Sequence, residues 1–318
     1  MENRIVGVYD NEIKGPLAII IGGVHGNEKA GVKALDLLFK MLEVEPITNK
    51  QFKFSGRLVG IKGNLQALSV DQRYISEDLN RIFLREKIES ALLQEHPVDE
   101  EAELIGIINE IDRQIEEYQP NEIFVLDLHT TTASGGIFTI VNDTPESIKL
   151  GLKLDATVIE GFIKDLHGTV LHYFNEENLN RPCVSLCFES GQHDDKLSVN
   201  RCIAASVNFL SAIECVEKFH IETIHEEILN NYANGLPKHC KLIYTYKIDK
   251  NENFRMKPGF KNFDRIRKNQ ILATNKDGCI KAPSDGIMIM PHYQEKGSDG
   301  FFLVKDVLGE KIPKKSFL

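Results

Sequence analysis

The chain has 318 residues, of which 42% are hydrophobic and 27% charged, and it carries a formal net charge of -9. That length accommodates two domains, or one large domain with an appendage, and the composition is that of an ordinary soluble globular protein. The negative balance argues against nucleic acid or an anionic membrane as a general partner, while leaving room for a local basic pocket that takes a small anion.

Met1 to Ile5 lacks the apolar core of a signal peptide, and no apolar run approaches the roughly 20 residues that span a bilayer. The expected location is therefore the cytoplasm, and the six scattered cysteines are expected as free thiols. In chain order, Leu17 to Gly22 is a continuous apolar run rich in β-branched residues, the pattern of a strand buried on both faces. Gly22-Gly23-Val24-His25-Gly26-Asn27-Glu28 then turns the chain and delivers an imidazole and a carboxylate three positions apart. Lys29 to Leu42 reads as a helix with Val32, Leu35, Phe39 and Leu42 on one face. A β-rich stretch follows at Phe52 to Lys62. Gln72 to Phe83, polar and without a period, reads mostly as loop.

Beyond Pro97, Leu104, Ile107, Ile111, Ile115 and Tyr118 keep a helical spacing, and the acidic run around them reads as the wet face of that helix. Glu122 to His129 is a second buried strand, stopped by Thr130-Thr131-Thr132. Ile137 to Val141 reads as strand, Leu150 to Leu166 as mostly helix, and Thr169 to Phe174 as strand. Cys183 to Phe188 is a third buried strand, ending at Glu189-Ser190-Gly191, with Cys183 and Cys187 as buried strand residues. Leu197 to Val216 is helical. After about residue 220 the chain becomes rich in turns and short strands, without long helices. This predicts an α/β domain at 1–220 with a mixed sheet flanked by helices, then a smaller β-rich domain at 221–318.

Three buried strands thus end in His25 and Glu28, in His129, and in Glu189. Ligands of open α/β sheets bind at the carboxyl ends of strands, so parallel strands would bring these side chains to one rim. Two imidazoles and a carboxylate form the ligand set of a catalytic zinc site, and a further carboxylate off the metal serves as general base. Asp127 projects to the same face as His129, either tuning it or forming a core salt bridge. Arg73, Asn80 and Arg81 lie in the intervening loop. They either face solvent or supply the guanidinium forks that bind a substrate carboxylate.

The motifs Gly23-Val24-His25-Gly26-Asn27-Glu28, Asp78-Leu79-Asn80-Arg81-Ile82-Phe83, Asp127-Leu128-His129-Thr130-Thr131 and Phe188-Glu189-Ser190-Gly191 together resemble the succinylglutamate desuccinylase/aspartoacylase family, relatives of the zinc carboxypeptidases. The resemblance runs from about residue 18 to 215, and more loosely into the tail. It implies a carboxypeptidase-like fold with one zinc ion per chain on His25, Glu28 and His129. Glu189 would be the general base and then the proton donor, Arg73 would stabilise the oxyanion, and Asn80 and Arg81 would hold a substrate carboxylate. The implied activity is removal of an N-acyl group, succinyl or acetyl, from an acidic amino acid such as N-succinylglutamate or N-acetylaspartate. A zinc carboxypeptidase acting on peptides and a non-catalytic metal- or ligand-binding relative are the alternatives. The oligomeric state is left open.

Two features depart from the aspartoacylase pattern. Arg181 sits closer to Glu189 than the arginine that binds the amino-acid portion. The stretch Ser298 to Phe302 lacks the tyrosine that the tail contributes, and Tyr293 is out of register.

Overall fold

The computed structural model describes residues 3–217 and 224–307. The amino-terminal half runs β1 (Ile5–Asp10), β2 (Leu17–Gly22), α1 (Ala30–Thr48), β3 (Arg57–Lys62), α2 (Leu65–Val70), α3 (Arg85–Leu92), α4 (Asp99–Tyr118), β4 (Ile123–Thr131) and β5 (Phe138–Val141). It continues with α5 (Pro145–Gly151), β6 (Thr157–Glu160), α6 (Phe162–Asp165), α7 (Val170–Tyr173), α8 (Glu176–Leu179), β7 (Cys183–Gln192) and α9 (Ser198–Ala212). The carboxyl-terminal part holds α10 (Ile224–Ala233), β8 (His239–Lys247), β9 (Arg255–Met256), β10 (Arg265–Ile266), β11 (Ile271–Asn275), β12 (Gly278–Lys281), β13 (Gly286–Ile289) and β14 (Asp299–Asp306).

A mixed sheet in the order β1-β3-β2-β4-β7-β5-β6-β8-β14-β13-β10 forms the backbone of the molecule. Its centre is parallel: β2 pairs with β3 and β4, and β4 pairs with β7. Every residue of β2 is buried, as its unbroken apolar sequence requires, and each such Leu or Ile stabilises the fold by about 1.5–3 kcal/mol. Helices α1 and α9 cover one face through Ala34, Leu35, Leu38, Ala205 and Phe209, and α4 covers the other through Leu104, Ile107, Ile108 and Ile111.

Several expectations are corrected. The stretch 150–166 is not one helix. Asp155 is left-handed, and Gly161 at φ +100 breaks the chain again. Between these breaks the apolar Val158 and Ile159 pair with β5 on one side and β8 on the other. Residues 169–174 form a helical turn and not a strand, because Thr169 and His172 cap it reciprocally. The turn expected at Thr130–Thr132 begins later, since β4 runs through Thr131. The acidic run is not wholly a wet face: Glu100 and Glu103 are buried. Finally, α10 adds a ten-residue helix to a part of the chain read as lacking long ones.

The β-rich tail extends the same sheet. β8 joins β6 in parallel, and β14, β13 and β10 follow in antiparallel pairs. A separate small sheet, β12-β11-β9, closes over its own core of Ile266, Leu272, Met288, Phe301 and Leu303. The boundary expected at 220/221 lies outside the described residues. No helix of the described residues is long and apolar enough to cross a membrane.

Candidate active site

Because β2, β4 and β7 are parallel and in register, their carboxyl ends form one rim: Gly22 lies beside Leu128, and His129 directly beside Glu189. The turn after β2 carries His25 and Glu28 to that rim, where both are buried. Glu28 lies between the two imidazoles. Its Oε1 is 2.8 Å from His25 Nδ1, its Oε2 is 3.0 Å from His129 Nδ1, and it accepts the Thr130 N–H at 2.9 Å. Donor atoms of His25, Glu28 and His129 all lie within 4.8 Å of one another, and two imidazoles with one carboxylate suit a catalytic zinc ion.

Each imidazole is held from behind. His129 Nε2 is 2.7 Å from Asp127 Oδ2, and His25 Nε2 is 3.0 Å from Asp78 Oδ1. Such carboxylates fix the ring orientation and leave both Nδ1 atoms facing Glu28. The electrostatics follow. Burial alone would raise the Glu28 carboxyl, but the flanking His25 and His129 hold it well below the usual range. Burial opposes protonation of His129, yet Asp127 and Glu28 raise it well above an ordinary histidine.

Glu189 is buried on the same rim, and its Oε2 has no hydrogen-bond partner. Burial pushes its carboxyl up to about 8; His129 and Arg73 pull against this, and the nearby Glu28 and Asp127 carboxylates add to it. The strand end that carries Glu189 is clamped at the next residue: Arg201, fully buried, donates to the Ser190 carbonyl at 2.9 Å, and Ser190 Oγ donates to the His129 carbonyl at 3.0 Å.

The loop before α3 supplies the arginines. Arg73 donates to Asp78 through Nη2 and Nε, at 3.1 and 3.3 Å, and reaches Glu28 at 3.4 Å. Leu79, Ile82 and Phe83 anchor the end of this loop in the core, and its stretch 75–77 is held by polar bonds. Glu100, projecting from α4, accepts the backbone N–H groups of Ile75, Ser76 and Glu77 and the side-chain amide of Asn64. Although burial works against ionisation, those donors hold the Glu100 carboxyl below its ordinary value. Asn80 is committed internally, its Oδ1 accepting the Val170 N–H at 2.9 Å. Arg81 lies beside it, donating to the Asn80 carbonyl at 2.7 Å and to Asp299 at 2.5 Å.

All seven sequence-predicted residues, His25, Glu28, Arg73, Asn80, Arg81, His129 and Glu189, line one cavity of about 930 Å³ including its open mouth. Its far wall is apolar, with Phe162, Leu166, Leu171 and Phe302. The tail adds Met290, His292, Gly297, Ser298 and Asp299. Tyr293 is held elsewhere, its hydroxyl donating to the Lys257 carbonyl. Arg181 is likewise away from the cavity, tied to the Pro120 carbonyl and to Gln119.

Sequence reasoning missed His193. Its Nδ1 lies 2.6 Å from Thr130 Oγ1, while its buried Nε2 has no partner and the ring lines the cavity. The available signal was its position four residues beyond Glu189, just past the strand end. Sequence reasoning also missed Asp299, for which local sequence holds no signal, since it meets Arg81 only through the fold.

Residues 14–166 match the succinylglutamate desuccinylase/aspartoacylase catalytic domain. A probable aspartoacylase from Acaryochloris marina is 34% identical over 137 residues, 43% of this chain and 42% of that protein. A human N-acyl-aromatic-L-amino acid amidohydrolase is 30% identical over 135 residues, 42% of this chain and 39% of that protein. The match thus spans about two fifths of the length of these curated relatives. Among solved structures, a succinylglutamate desuccinylase/aspartoacylase from Rhodobacter sphaeroides aligns at a TM-score of 0.63 and 16% identity, over 94% of this chain and 88% of that one. That likeness establishes the shared fold across nearly the whole chain.

Proposed function

We propose, from the match of residues 14–166 to the succinylglutamate desuccinylase/aspartoacylase catalytic domain, that this protein is a zinc-dependent amidohydrolase that removes an N-acyl group, acetyl or succinyl, from an amino acid. The sequence reading names acidic amino acids, with N-succinylglutamate and N-acetylaspartate as leading substrates. The observation that carries the proposal is the convergence of His25, Glu28 and His129 on one point of the rim, beside a buried Glu189 that has an unpartnered oxygen.

His25, Glu28 and His129 would hold the ion, one per chain. When bound, zinc supplies the Lewis acidity that activates water and polarises an amide carbonyl. Glu189 takes a proton from the attacking water on its free Oε2 and returns it to the departing amide nitrogen. A divalent cation nearby favours the ionised form of Glu189 that this first step needs, opposing the effect of burial. Arg73, kept in place by Asp78, directs its guanidinium at the developing oxyanion, a contribution typically worth about 3 kcal/mol. Asn80 and Arg81 form the carboxylate end of the site. Asp127 and Asp78 orient the two imidazoles, and Arg201 keeps the Glu189 strand end in position.

A peptide carboxypeptidase is the rival reading. The tail residues Met290, His292 and Gly297 at the cavity favour a small substrate over a peptide, with the β-rich part at 221–318 acting as the domain that narrows the entrance. The proposed location is the cytoplasm, supported by six unpaired cysteines.

The test is hydrolysis of a panel of N-acetyl and N-succinyl amino acids by protein loaded with one equivalent of zinc and by chelator-stripped protein. Turnover by the loaded protein alone is expected. Cleavage of peptides but not of N-acyl amino acids would favour the carboxypeptidase.

A further inference from the structure

Both guanidinium groups in the cavity are already matched by carboxylates of the protein. Arg73 is paired with Asp78 through two donors. Arg81, 26% exposed, lies 2.5 Å from Asp299 Oδ2, and Asp299 is only 10% exposed. The other oxygen of Asp299 has Lys247 Nζ at 3.4 Å. Asp299 reaches this place because β14 pairs with β8, setting it directly beside Lys247. Three residues along β14, Phe302 packs against Phe162 at 4.8 Å and continues the wall that Leu166 and Leu171 complete. The other polar groups on this side are the uncharged Asn80, Thr169, Gln294 and Ser298 and the histidines His172 and His292, whose pKa burial lowers.

An N-acyl amino acid brings one α-carboxylate, which the remaining donors of Arg81 can take while Asp299 keeps its bond. A substrate with a second carboxylate must displace Asp299 or place a charge among apolar and uncharged side chains without a cationic partner, and a buried charge without a counter-ion is strongly unfavourable. We infer that Asp299 sets the substrate class: it closes Arg81 to a second acid group, so the preferred substrates carry a single carboxylate and are N-acetyl derivatives of amino acids with neutral, apolar side chains. N-acylaspartate, N-acylglutamate and N-succinyl compounds are disfavoured alike. The inference rests on the amidohydrolase reading above and replaces the acidic amino acids and the succinyl group of the sequence reading with neutral amino acids and acetyl.

The test compares kcat/KM for N-acetylleucine, N-acetylaspartate, N-succinylleucine and Nα-acetyllysine in the zinc-loaded wild type and in Asp299→Asn. The wild type should favour N-acetylleucine over each diacid by at least about tenfold, and Asp299→Asn should move the ratio toward N-acetylaspartate by about tenfold or more. A wild-type preference for either diacid, an unchanged ratio in the variant, or a preference for Nα-acetyllysine (which would make Asp299 the partner of a substrate ammonium) overturns it. If no N-acyl amino acid is cleaved, the amidohydrolase reading fails by itself. Calorimetric binding of N-acetylleucine and N-acetylaspartate to the wild type then still decides the role of Asp299, as it does if the variant does not fold.

Discussion

Gly26 is the point where the turn carrying His25 and Glu28 comes closest to the rest of the molecule. A Cβ at this position would lie 2.1 Å from the Ala67 carbonyl carbon, 2.3 Å from its oxygen and 2.4 Å from the Leu68 nitrogen. These are backbone atoms of α2, and α2 cannot retreat easily. Asn64 caps it by accepting the Ala67 N–H, and donates in turn to the buried Glu100. In Gly26→Ala the burden of relief therefore falls on the turn, which must move by about 1 Å to reach an acceptable contact. That shift is about a third of the 2.8 Å between His25 Nδ1 and Glu28 Oε1, and it also strains the Gly26 N–H bond to the Arg73 carbonyl. Overpacking of this kind costs about 1–3 kcal/mol of stability, and a 1 Å displacement of catalytic groups costs about 100-fold in rate. The assay is kcat/KM on N-acetyl amino acids, with zinc affinity by chelator competition and a thermal melt to show that the sheet survives. A folded Gly26→Ala protein with near-normal zinc affinity and turnover would refute the claim that this packing sets the ligand geometry.

Glu189→Gln should retain zinc and lose about 100- to 10,000-fold in turnover, the range ascribed to a positioned general base; near-normal activity removes Glu189 from the chemistry. The same variant reports on pH. In metal-free protein the Glu189 carboxyl is raised from 4.5 to about 8, mainly by burial. The folded state therefore holds a proton that the unfolded chain releases, and the stabilisation is complete below about pH 4.5 and lost as pH rises toward 8. Denaturant melts of the metal-free proteins should show the stability of wild type relative to Glu189→Gln falling across that window; a difference that is flat or rises contradicts the reasoning.

The parts of the fold legible in the sequence are those with strong local signals. β2, β4 and β7 are continuous apolar runs, and a run buried on both faces must lie at the centre of a parallel sheet, which is why His25, Glu28, His129 and Glu189 could be placed on one rim. Within residues 150–174 the strand at 157–160 and the helical turn at 170–173 run against the local pattern, because each is four residues long between breaks, too short for a period to show. Val158 and Ile159 become strand through β5 and β8, and Val170 to Tyr173 becomes helix through the Thr169–His172 cap. The buried Glu100 looked like surface charge because its partners are backbone N–H groups of a loop some 25 residues earlier, which no side-chain pattern advertises. The pairing of Arg81 with Asp299 depends on β14 entering the main sheet beside β8, a register fixed by tertiary pairing alone. The convergence of the candidate site residues is therefore legible in the sequence, while the pairing of Arg81 with Asp299 is not.

The most direct test of the account is a calorimetric zinc titration of the metal-free wild type and of Glu28→Gln. The three-ligand site predicts one ion per wild-type chain, and binding weakened by at least about 100-fold when the carboxylate between the imidazoles is neutralised. Zinc binding of unchanged affinity in Glu28→Gln, or no binding by the wild type, would contradict it.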